Sequence, residues 1–339
     1  MGESFGGSLN NKWVYVPSFL CSLAILYFLI QWFSHCSSLT TVCSYDGYYA
    51  TGDNDAHLKY VSLLLDKNLW FLSLQRIFYE GFYYASGFVS IITRLSPLSS
   101  LEVVTTILFV SLPLSIQLSV QTLTGSKWTG AFASVFFTAS IPVWFASLFY
   151  RGITPNVLGI ISCLLLLWAL ARFDGSIKRI AILAATMLLF LYGHYTNITL
   201  IPPLVMTVLI FGGYIVRRLA LILFVGSIIA VFLSPLIMDN IYPNLAIPFS
   251  GFFNFLVYSL SDQNGNPLSL SLVAFALIGI YLSFRNRNKL LIAVSFWLVL
   301  LIATAPSSIY VERWFDESFF PFLILGSYGL HEVFSLVRY

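Results

Sequence analysis

Long apolar stretches, almost free of charge, recur along this chain and constrain its fold more than any other feature. About ten of them, each of roughly 16–23 residues, suit the length needed to cross the hydrocarbon core of a bilayer. They run over 14–33, 101–123, 128–148, 156–171, 180–195, 198–216, 219–237, 268–284, 290–305 and 318–337, with Pro, Gly, Asn and charged residues in the gaps. Only 9% of the 339 residues are charged and 58% are hydrophobic. The pattern implies an all-α, polytopic integral membrane protein, one transmembrane domain over 1–339 with the lipid bilayer as its partner. Lys and Arg fall singly or in pairs rather than in basic stripes, so no nucleic-acid partner is expected. The first stretch exceeds the roughly 7–15 residues of a signal-peptide core and is expected to remain as a signal anchor.

Charge placement sets the topology. The segment from Gly81 to Thr93 is apolar but only 13 residues lie between Glu80 and Arg94. That length suits an interfacial or re-entrant helix better than a span. If it does not cross, Lys12, Lys127, Arg172, Lys178, Arg179, Arg217, Arg218, Arg285, Arg287, Lys289 and Arg338 share the inner side, and Lys59, Lys67, Arg76, Arg94, Arg151 and Arg313 the outer, 11 against 6. If it crosses, the split becomes 4 inside against 13 outside. Positive charge concentrates on the cytoplasmic side of membrane proteins, so the first arrangement is expected. Residues 34–100 then form a large first external loop, and 239–267 a second. The first contains an amphipathic helix from about Asp55 to Lys67, whose stripe of Leu58, Val61 and Leu65 is expected to lie on the membrane face. Cys21 and Cys163 sit inside apolar spans and read as buried packing residues. Cys36 and Cys43 can form a disulfide if their loop faces an oxidising compartment, or remain thiols.

Within that first loop stands a compact polar knot, Gly52-Asp53-Asn54-Asp55-Ala56-His57-Leu58-Lys59-Tyr60. Ionisable groups are expensive inside a bilayer, so such a knot belongs at a membrane surface or a polar cavity. Asp53 and Asp55 can serve as helix caps and first-turn charges, or as a general base and metal ligand. His57 lies one helical turn after Asp53. His57 and Lys59 offer an imidazole and an ammonium suited to a phosphate, or else form a solvated interfacial pair.

The spacing Asp53-x-x-x-His57-x-Lys59 resembles the first external-loop motif of the oligosaccharyltransferase catalytic subunits, members of the GT-C superfamily of membrane glycosyltransferases. Protein O-mannosyltransferases are relatives in that superfamily. A second resemblance is Tyr310-Val311-Glu312-Arg313-Trp314-Phe315, with Pro321 downstream, which is similar to the superfamily's late Arg-aromatic motif. A third is His194-Tyr195-Thr196 at the outer end of a span. The resemblance implies transfer of a sugar from a polyprenyl phosphate or diphosphate, such as a dolichol-linked donor, to an acceptor on the outer or lumenal face. Asp53, with Asp55, would be catalytic; His57, Lys59, Arg151, His194 and Arg313 would bind the substrate's phosphate. Asp53 and Asp55 are also the pair that would hold a divalent metal, Mg or Mn. The plasma membrane or the endoplasmic reticulum would house the enzyme. Where the oligosaccharyltransferases carry an acidic pair in the second external loop, this chain has Arg151-Gly152-Ile153-Thr154-Pro155-Asn156, and it lacks the Trp-Trp-Asp-Tyr-Gly acceptor motif. Both differences set it apart from N-glycosylating subunits. Two readings of other classes stand beside this one. One is a transporter or lipid flippase, which usually shows ionisable residues near the midplane. The other is a non-catalytic membrane subunit.

Overall fold

The computed structural model describes residues 12–36, 54–66, 81–139, 154–193, 267–304 and 311–337. Helices and short turns make up all of these, with no strand among the described residues. After a 3₁₀ turn at Lys12–Tyr15 come α1 (Val16–Cys36), α2 (Asn54–Asp66), α3 (Gly81–Thr93), α4 (Pro97–Thr124) and α5 (Lys127–Ala139). They are followed by α6 (Thr154–Ala171), α7 (Ile177–Gly193), α8 (Pro267–Arg285), α9 (Lys289–Thr304) and α10 (Val311–Val337). Three segments among the described residues, Trp13–Gln31, Pro97–Thr124 and Phe319–Leu336, are long and apolar enough to cross a membrane. Val157–Ala171, Ser271–Arg285 and Lys289–Val299 are apolar but shorter. The expected spans over 198–216 and 219–237, most of the second external loop, and the Cys36–Cys43 pairing lie outside the described residues.

The bundle is built around α4, which packs against α1, α3, α5 and α6. Its ends explain its length. Ser96 caps the start, its side-chain oxygen accepting the Ser99 N–H at 3.1 Å, and Pro97 begins the helix where a missing N–H costs nothing. At the far end Gly125 takes a left-handed φ of 74° and its N–H bonds the Gln121 carbonyl. A side chain is strained in that conformation, and glycine is not. Leu101, Phe109 and Leu112 on α4 are wholly buried and anchor the core together with Ile25, Phe82, Phe137 and Leu164 from its neighbours.

Polar side chains join α1, α4 and α5 inside this apolar setting. Gln117 Nε2 donates to the Val14 carbonyl at 3.0 Å, and Ser18 donates to the Gln117 side-chain oxygen. Ser134 Oγ donates to the Pro113 carbonyl at 2.6 Å and lies 2.9 Å from Ser18 Oγ. Such hydrogen bonds between helices give orientation where apolar contact alone distinguishes poorly between one face and another. Cys21 and Cys163 are buried, as their apolar surroundings imply. α8 and α10 meet through glycines: a Cβ on Gly279 would run into the Leu325 carbonyl, and one on Gly329 into that of Phe275. Close backbone approach of this kind is how small residues bring membrane helices together.

The amphipathic helix of the first loop is present as α2, but its apolar stripe does not lie free on a membrane face. Val61 is fully buried, Leu64 nearly so, and Leu58 and Leu65 pack on the same core. The stripe faces protein because α3 and α4 offer it close-packed apolar partners. The short helix α3 occupies the expected 81–93. It buries Phe82, Tyr83, Ser86, Gly87 and Ser90, and leaves Phe88, Ile91 and Ile92 exposed.

Candidate functional site

α2 begins at Asn54, one residue after Asp53, and carries the rest of the polar knot. Among the knot's described polar side chains, His57 is drawn into the protein and Lys59 is not. His57 is 6% exposed, and its Nδ1 lies 2.8 Å from the Tyr83 hydroxyl on α3. When the phenol donates, Nδ1 is the acceptor and Nε2 carries the ring proton. The edge of Phe82 meets the imidazole with ring centres 6.0 Å apart, and Tyr60 lies against Tyr83 with centres 5.4 Å apart. His57, Tyr60, Phe82 and Tyr83 thus form one aromatic cluster between α2 and α3.

Lys59 is exposed. Two residues along a helix turn the side chain by about 200°, so His57 and Lys59 face opposite ways. The two do not converge on one ligand: burial takes His57 to Tyr83 and leaves the ammonium at the surface. Asp55 lies on the first turn of α2 and Arg313 on the first turn of α10, both as backbone positions, their side chains being outside the described residues. Asp53, Arg151 and His194 also lie outside them. Among the described residues no three His, Cys, Asp or Glu side chains gather into a metal-ligand set.

Tyr83, which hydrogen-bonds His57, lies outside the motif Asp53-x-x-x-His57-x-Lys59. Its signal in the sequence is slight, an aromatic run Phe82-Tyr83-Tyr84 in an otherwise apolar segment. A buried imidazole needs a hydrogen-bond partner, and a tyrosine in a nearby aromatic run can supply one. No protein-family model matches this sequence, and no curated protein or solved structure matches it either.

Proposed function

We propose that this chain is a polytopic membrane glycosyltransferase of the GT-C type, moving a sugar from a polyprenyl phosphate or diphosphate to an acceptor at the outer or lumenal face. The observation that supports this reading best is the anchoring of α2. The helix that follows Asp53 is fastened to the bundle by His57 against Tyr83 and by buried Val61 and Leu64. A general base must be held in place relative to the group it deprotonates, and a carboxylate next to an anchored helix end meets that need better than one on a free loop.

In the proposed reaction the acceptor hydroxyl oxygen attacks the anomeric carbon as its proton passes to Asp53. The bond from that carbon to the phosphate oxygen breaks with inversion, and the polyprenyl phosphate or diphosphate leaves. Arg313 and the exposed Lys59, with Arg151 and His194, would neutralise the departing anion, where preorganised positive charge lowers the barrier most. Asp55 would support Asp53. His57 serves to anchor α2 and not to hold the ligand. Asp53 and Asp55 would be the residues to hold a divalent metal such as Mg or Mn, for which carboxylate oxygens are suitable donors.

The test is donor turnover by the purified protein with a panel of polyprenyl-phosphate and polyprenyl-diphosphate sugars, with and without chelator, beside Asp53→Asn. Loss of a general base costs roughly 10²–10⁴-fold in rate. Release of polyprenyl phosphate by the wild type, reduced by that order in Asp53→Asn, is the expected result. Equal release by both proteins would remove Asp53 from the mechanism. Lipid-linked sugar carried across liposomes without turnover would replace the enzyme by a flippase.

A further inference from the structure

One end of the described bundle is strongly basic. The hydrogen bond between Ser126 and His331 Nε2, 3.3 Å, ties the α4–α5 turn to the end of α10. Asn286 Nδ2 donates to the Tyr328 hydroxyl at 3.0 Å and ties the α8–α9 turn to the same helix. Ser119 Oγ bonds the Leu164 carbonyl at 2.7 Å, setting the C-terminal halves of α4 and α6 side by side. The three turns carry Lys127, Arg172, Lys178, Arg285, Arg287 and Lys289, all exposed. Asp174 lies close enough to Arg179 to feel its charge, and Glu332 lies 3.8 Å from His331 Nδ1. Those two carboxylates leave the six cations unmatched among the described residues.

Apolar side chains stand exposed among these cations: Trp128 beside Lys127, Ile177 beside Lys178, Phe284 beside Arg285 and Leu290 beside Lys289. The Arg172 guanidinium lies 5.3 Å from the centre of the Trp168 ring, held at the helix end by cation–π attraction. Cations alternating with exposed apolar groups suit the boundary between acyl chains and phosphates, and suit a soluble polyanion poorly. Arg287 adds a further observation. It ends α8 in the left-handed region, φ 52°, where glycine is the favoured residue. The chain keeps a cation there against its backbone preference.

We propose that the α4–α5, α6–α7 and α8–α9 turns together bind the phosphates of anionic phospholipids in the leaflet at that end. This rests on the membrane-embedded reading above and is independent of glycosyl transfer.

The experiment places the full chain in nanodiscs of phosphatidylcholine with a minor fraction of phosphatidylglycerol, and measures the co-purifying lipids by native mass spectrometry. The wild type is expected to retain phosphatidylglycerol over phosphatidylcholine, less so in high salt. Removing three cations in Arg285→Gln/Arg287→Gln/Lys289→Gln should weaken that preference roughly tenfold or more, since each surface cation contributes separately. Arg287→Gly is the decisive variant. It should melt no lower than the wild type in pure phosphatidylcholine, because it relieves the left-handed backbone, and still lose part of the preference. No preference in the wild type, or an undiminished one in both variants, overturns the inference. A chain that enters discs of neither composition overturns the membrane reading and this inference with it.

Discussion

His57 Nδ1 and the Tyr83 hydroxyl lie 2.8 Å apart, joining a helix of the polar knot to an apolar helix 26 positions later in the chain. Tyr83→Phe removes that hydrogen bond and leaves the ring contacts in place. The expected cost is about 1 kcal/mol, rising toward roughly 3 kcal/mol if the imidazole finds no replacement partner. Thermal unfolding of the variant in detergent measures it. If α2 is anchored as proposed, donor turnover in Tyr83→Phe should also fall while donor binding changes little, because Lys59 and Arg313 are untouched. Unchanged melting would show that the contact carries no weight.

Gly329 and Gly279 predict a different kind of defect. An added methyl at either meets a backbone carbonyl of the facing helix, which cannot rotate aside as a side chain does. Gly329→Ala should cost about 1–3 kcal/mol through forced separation of α8 and α10. Gly125→Ala is the contrast: nothing crowds its added carbon, and only the left-handed backbone opposes it, for about 1 kcal/mol. Reversible unfolding in mixed micelles distinguishes the two. A smaller loss for Gly329→Ala than for Gly125→Ala would contradict the close helix contact.

Asp174, in the α6–α7 turn, accepts the Ser176 backbone N–H at 2.9 Å. That bond, the Ser176 side chain and nearby Arg179 hold its carboxyl below the ordinary aspartate range. The folded value is depressed, so the contribution to stability is present above the unfolded pKa, about 3.9, and is lost as pH falls through the folded value. The effect is small, since the group is fully exposed. Titration of the carboxyl carbon by NMR, assigned with Asp174→Asn, should give a midpoint below the ordinary one, and Ser176→Ala should move it part of the way back. A midpoint at or above the ordinary value would contradict the turn geometry.

Much of the helical layout is legible in hydropathy and charge. The stretches read at 14–33, 101–123, 156–171, 268–284 and 290–305 fall within a few residues of α1, α4, α6, α8 and α9, and α3 spans the residues 81–93 singled out for their brackets of charge. α2, expected from about Asp55, begins at Asn54. The candidate site was legible only as a cluster of residue types. Spacing placed His57 and Lys59 on one helical turn, but it cannot tell which of them enters the protein. Burial and Tyr83 decide that.

Which residues sit in apolar helices, and where those helices stop, follows from local composition, because desolvating a charge or a bare peptide group in an apolar medium is prohibitive wherever it occurs. Which faces meet does not follow from it. Val61 reads equally well against lipid or against protein, and Gly279 and Gly329, 50 positions apart in the sequence, come together only when α8 and α10 cross. Those choices belong to the tertiary structure, since they depend on the shape and hydrogen bonding of surfaces far apart in the chain, where lipid and protein interior are alike in polarity and differ in fit.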